Sequence, residues 1–158
     1  MRLQSISIFT TILFFFLLEP GTYGQSQTKK LAKTIKLSKG ISLGFGRFNS
    51  KTGLYYHPRI IQGGRVLKIT GYDEDNGSDE EIKVAPNKRF FMMGHIIKEY
   101  VKEGKKRKLH ENYLCVLIDI KRAKVVKYMQ TDCGGEWSKG NEWVSGGSVV
   151  FSPEDEDE

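Results

Sequence analysis

The chain has little of what catalysis and metal binding usually draw on. Its three histidines, His57, His95 and His110, are scattered, and no HExxH pair is present. The two cysteines form no CxxC motif, which removes the zinc-ribbon and dithiol-redox classes. There is no glycine-rich phosphate loop and no nucleophile elbow. Cys115 lies in an apolar stretch, where burial disfavours the reactive thiolate. The expectation is a non-catalytic protein with no catalytic residues, no metal and no cofactor.

Long apolar runs are also scarce. The only one is Ile6 to Leu18, about a dozen residues holding Phe9 and Phe14–Leu18. That is too short for a comfortable membrane span. Arg2 precedes it, Pro20 and Gly21 end it, and the small residues Thr22 and Gly24 follow. The pattern is that of an export signal, residues 1–24, cleaved before Gln25. No cysteine follows it to accept a lipid. The remaining 134 residues, 25–158, suffice for one domain with a core and contain no further transmembrane segment. A secreted or periplasmic location follows. Cys115 and Cys133 are then either a disulfide or two buried thiols.

What is present in quantity is positive charge. The formal net charge is +6, and Glu154 to Glu158 is an acidic tail of −5, so residues 25–153 carry +11. In a cytosolic protein that would suggest nucleic acid. Behind an export signal the expected partner is an acidic protein or an anionic polymer, a polysaccharide included, and not nucleic acid. A small inhibitor or immunity-type protein fits that description.

The fold class expected is mainly β, an antiparallel meander forming a small sandwich or open barrel. Leu114, Val116, Ile118 and Ile120 alternate with Cys115, Leu117 and Asp119, and Val125 to Met129 resumes the pattern after the polar Lys121–Lys124. This predicts a hairpin whose arms carry Cys115 and Cys133. Gly63-Gly64 is a two-residue turn signal. Residues 89–103 are ambiguous. They fit a helical face through Met93, Ile96, Ile97, Tyr100 and Val101, which gives an α+β alternative. They also read as a long strand turning at Gly104 and pairing with Leu109–Ile120, the reading favoured here. The expected organisation is a flexible basic arm at 25–39, one β-rich domain at 40–152 and a disordered acidic tail at 153–158.

Two sets of binding residues stand out. The first is basic: Lys98 and Lys102 within the long strand, and Lys105, Lys106, Arg107 and Lys108 at its tip. Lys121, Arg122 and Lys124 belong to the opposite end of the meander and are not expected to join that patch. The second is aromatic. Trp137 and Trp143 flank a turn, and an exposed pair of indoles suits a sugar ring, which gives the alternative of a carbohydrate- or cell-wall-binding module. Asp73, Asp75 and Asp79 lie in an acidic loop, DEDNGSDEE, expected to be solvated. Their spacing is not that of an EF-hand. Asn76-Gly77-Ser78 in the same loop is a glycosylation sequon.

Overall fold

The computed structural model describes residues 30–131 and 133–156. The expected signal, residues 1–24, the first part of the basic arm and the last two tail residues lie outside them.

Eleven strands form three antiparallel sheets, none closed into a barrel. The first contains β1 (Lys33–Ser38), β2 (Ile41–Asn49), β3 (Leu54–Gln62) and β4 (Arg65–Lys68), in that order. The second contains β5 (Ile82–Val84), β6 (Phe90–Glu103), β7 (Lys106–Asp119) and β8 (Lys124–Met129), also in order. The third is small, with β10 (Trp143–Ser145) between β9 (Glu136–Trp137) and β11 (Ser148–Phe151). Tight turns set the registers. Gly63 and Gly64 both have positive φ, 55° and 76°, and Gln62 pairs with Arg65 across them. This is the conformation that matches strand twist in a two-residue hairpin.

The second sheet is the middle layer. On one side Phe91, Met93, Val116 and Ile118 pack against Leu43, Phe45 and Ile60 of the first sheet. On the other, Phe90, Met92, Cys115 and Leu117 pack against Trp143 and Phe151 of the third. Successive residues of a strand face opposite ways, so both faces of Phe90–Ile96 and Cys115–Asp119 are buried. Each Phe, Met, Ile, Val or Leu side chain among them contributes about 1.5–3 kcal/mol through burial. The ambiguous stretch is therefore strand from Phe90 to Glu103, with no helix among the described residues except a 3-10 turn. That turn is Pro153–Glu156, at the start of the acidic tail.

Residues 33–38 are not a flexible arm. They form edge strand β1, with Lys33 opposite Phe45 and Ile35 opposite Leu43. Leu37 is buried, and Ile35 packs on the core. Lys36, between them, is exposed on the opposite face, and its charge on an edge strand discourages further pairing.

The acidic loop is also more structural than its composition suggests. Gly77 pairs with Ile96 of β6, and Ser78, fully buried, pairs with Tyr55 of β3. Glu74 turns back onto the first sheet, 2.9 Å from Arg59, 3.2 Å from Lys68 and 3.4 Å from His57. The hydrogen bond from Arg59 holds its carboxyl down at about 2, well below the usual range. Asn76 of the sequon donates its amide to Asp73 Oδ2 at 2.9 Å and lies 3.1 Å from His95 Nε2. That amide is engaged in the fold.

His95 is 3% exposed, edge-on to Tyr72 and to Tyr128, both at 4.9 Å. Its Nδ1 and the Tyr72 hydroxyl are buried with no hydrogen-bond partner among the described residues. Burial lowers the imidazole below its ordinary 6.5, with the Asp73 carboxylate opposing. The neutral ring is thus the folded form, and the unfolded chain takes the proton more readily. Stability contributed by this site is complete above about pH 6.5 and is lost as pH falls below it. Urea midpoints measured from about pH 8 to pH 5 should fall in wild type, and less steeply in His95→Gln. Equal slopes would show that His95 is not the group responsible.

Candidate binding arm and groove

The inner halves of β6 and β7 are core, and the outer halves project beyond all three layers. Every residue from Glu99 to Tyr113 is exposed. The strands stay paired throughout, from Phe90 opposite Asp119 to Glu103 opposite Lys106, with Gly104 (φ 61°) opening the two-residue tip. An isolated two-stranded ribbon is marginal in water, so this arm depends on its rooted end and its cross-strand pairs.

Directly opposed residues share a face. One face carries Glu99 with His110, Val101 with Lys108, and Glu103 with Lys106. It is electrostatically compensated: Glu103 lies 3.2 Å from His110 and 3.7 Å from Lys108. The other face carries Tyr113, then Lys98 with Glu111, Tyr100 with Leu109, and Lys102 with Arg107. Near its root, Lys98 meets Glu111 at 2.8 Å, and Tyr113 donates to Glu111 at 2.5 Å. The Lys98 hydrogen bond holds the Glu111 carboxyl below its usual value, and Glu111 raises the ammonium in return. At its outer end Lys102 and Arg107 oppose each other with no ion pair to either, among the described residues. Like charges directly across a ladder destabilise it.

Of the expected basic residues, Lys102, Lys105, Lys106, Arg107 and Lys108 are thus gathered at one exposed tip. Lys98 is not an available cation, being committed to Glu111. Lys121, Arg122 and Lys124 lie at the other end of β7, about 40 Å away at 3.3 Å per residue. Sequence reasoning missed Tyr100 (66% exposed), Leu109 and Tyr113 as parts of the same face. Their alternation with Lys102 and Glu111 is visible once the strand and its tip are fixed.

The two tryptophans are not an exposed platform. Trp143 is 1% exposed, and Trp137 is half-buried, edge-on to it at 5.3 Å, with Nε1 donating to Lys83 O at 2.9 Å. They are packed because the short third sheet, with Phe151, uses them to cover Phe90 and Leu117.

A groove runs between the third sheet and the root of the arm. Its larger part, about 690 Å³, is open and walled by Gly134, Gly135, Glu136, Trp137 and Gly146. A smaller part, about 190 Å³, continues past Lys83 to Asp79, Glu81, Gly94 and Tyr113. Lys83 donates to Cys133 O at 2.8 Å and Gly135 O at 3.1 Å and pairs with Glu81 at 2.8 Å. The Asp79 carboxylate lies over Gly94, accepts one hydrogen bond, from the Glu81 amide, and has no ion pair among the described residues. Burial raises its carboxyl above the usual value. Asp73, Asp75 and Asp79 do not converge on a point, and no set of three or more potential metal ligands does so among the described residues.

Cys115 and Cys133 are disulfide-bonded, which is compatible with an extracellular or periplasmic protein. The bond fastens the segment after β8 to the middle sheet and so fixes one wall of the groove. Compared with family models, with curated proteins and with solved structures, the chain matches none.

Proposed function

We propose that this is an exported, non-catalytic binding protein that recognises an acidic macromolecule through the tip of the β6–β7 arm. One observation carries the reading. The arm neutralises one of its faces internally and leaves Lys102 and Arg107 opposed and uncompensated on the other, beside exposed Tyr100 and Leu109. A fold gains nothing from that arrangement, whereas an anionic partner removes the repulsion and covers the apolar pair. The inhibitor-like form of the reading is supported by the shape, a narrow ribbon extending well beyond its domain. The disulfide and the export-type N-terminal sequence support an encounter outside the cytoplasm.

Polyglutamate and heparin serve as defined probes, one an acidic polypeptide and one a sulfated polymer. Titration of the chain from Gln25 should show binding that weakens steeply with salt. Lys102→Ser with Arg107→Ser should weaken it about tenfold or more. Lys121→Ser with Arg122→Ser, an equal loss of charge at the far end, should change it less than about twofold. Equal losses from the two pairs would mean that only net charge matters and that the arm has no special part.

A further inference from the structure

The uncompensated face of the arm has an order along its length. At the tip are cations, Lys102 and Arg107. One rung inward is the exposed apolar pair Tyr100 and Leu109, then the self-neutralised Lys98–Glu111 pair. At the root, where Tyr113 enters the groove, stands the carboxylate Asp79, with Glu81, which pairs with Lys83, beside it and Glu136 on the wall beyond, three carboxylates to one ammonium. Positive, apolar and negative thus succeed one another along one continuous surface. From the Gly94 rung to the Lys102 rung is eight residues, about 26 Å.

A surface with opposite charges at its two ends and a neutral, partly apolar middle is complementary to itself. A two-fold axis through the Lys98–Glu111 rung, midway between the Gly94 and Lys102 rungs, places each positive end on the other copy's negative end and each Tyr100–Leu109 pair against the other copy's Tyr113. From this order we infer that a second copy of the chain docks here, each arm lying along the partner's arm with its tip in the partner's acidic groove. Asp79 is then the seat for an arriving cation, a half-buried carboxylate that has no ion pair among the described residues. Gly94 leaves it room, since a Cβ there would stand 3.2–3.4 Å from its carboxylate atoms. The contact is small and carried largely by charge, so it forms at high protein concentration and dissolves with salt. It also hides the surface assigned above to an external partner. Polyglutamate therefore competes with it, and dissociation of the pair exposes the arms for use.

The inference rests on the arm being an anion-binding surface, and the two fail separately. Sedimentation of the chain from Gln25 with its disulfide intact should give a dimer at low salt and a monomer at high salt. Lys102→Glu with Arg107→Glu reverses the arm. Glu81→Lys with Glu136→Lys reverses the groove. All four positions are at the surface, and circular dichroism checks that both variants fold. Each variant alone should be monomeric, and an equimolar mixture should form a one-to-one dimer, because each reversed end again meets its opposite. Tyr100→Ser with Leu109→Ser should weaken the wild-type dimer about tenfold or more without changing its salt dependence. A wild-type monomer at low salt that still binds polyglutamate overturns the self-docking and leaves the arm's function standing. Loss of both overturns both. A dimer indifferent to the reversals, or variants that do not pair when mixed, means that the copies meet elsewhere.

Discussion

Trp143→Ala should cost about 3–5 kcal/mol, the range for truncating a large aromatic in a core. The residue is 1% exposed, and with Phe151 it covers Phe90, Met92 and Leu117 on the outer face of the middle sheet. Trp137 stands edge-on to it, and the Lys83 ammonium lies 5.8 Å over its ring. The backbone closes in as well: a Cβ at Gly135 would lie 2.7 Å from the Trp143 indole, so the ring is tightly packed on that side. For a domain of this size the loss lowers Tm by roughly 10–20 °C. Trp137→Ala should cost less, about 1–2 kcal/mol, through partial burial and the hydrogen bond to Lys83 O. Far-UV circular dichroism against urea measures both without depending on the indoles removed. A change under about 1 kcal/mol for Trp143→Ala would mean that the ring is not core, and would return weight to a sugar-binding platform.

The fold class was legible because alternation is a local property. The β7–β8 hairpin and the Gly63-Gly64 turn follow from spacing alone, whereas Cys133, expected on the second arm of that hairpin, lies beyond the end of β8, and Cys115 faces Met129 across the ladder. The ambiguity at 89–103 has a physical cause. Where a strand is buried on both faces its alternation disappears, and Phe90 to Ile96 is apolar at every position but Gly94 and His95. A run of that kind satisfies a helical face by accident. β1 escaped notice for the opposite reason: its lysines dominate the composition, and only Ile35 and Leu37 report its inner face. The acidic loop misled in the same way, because Gly77 and Ser78 are buried by what they pair with and not by what they are. At the candidate site, the cluster of cations at the tip could be read directly. The commitment of Lys98 to Glu111, the burial of Trp143 and the polarity of one arm face all depend on register and layering, which no short window of sequence contains.

Removal of the disulfide should have the second-largest effect. Cys115→Ala with Cys133→Ala is expected to lower stability by about 3 kcal/mol in the chain-entropy model, for a separation of 18 residues. The consequence for the surface is more specific than the loss of stability. Cys115 is fully buried in β7, whereas Cys133 lies beyond β8 in a stretch with no strand partner until Glu136. Besides the disulfide, the Lys83 ammonium reaches that stretch through the carbonyls of Cys133 and Gly135, and Gly135 lies against Trp143. An ammonium at a half-exposed position is a weaker fastening than a covalent bond. Without the disulfide the wall carrying Gly134, Gly135 and Glu136 opens locally, before the core unfolds. Amide exchange at residues 134–137 should then accelerate by an order of magnitude or more, while Met92 and Leu117 keep their protection. Polyglutamate binding at the arm tip should persist, because β6 and β7 are paired independently of that wall. If exchange rises equally in the strands and in the segment, the bond supports the whole domain and not the groove. If it rises in neither, Lys83 and the packing of Trp137 are sufficient to hold the wall.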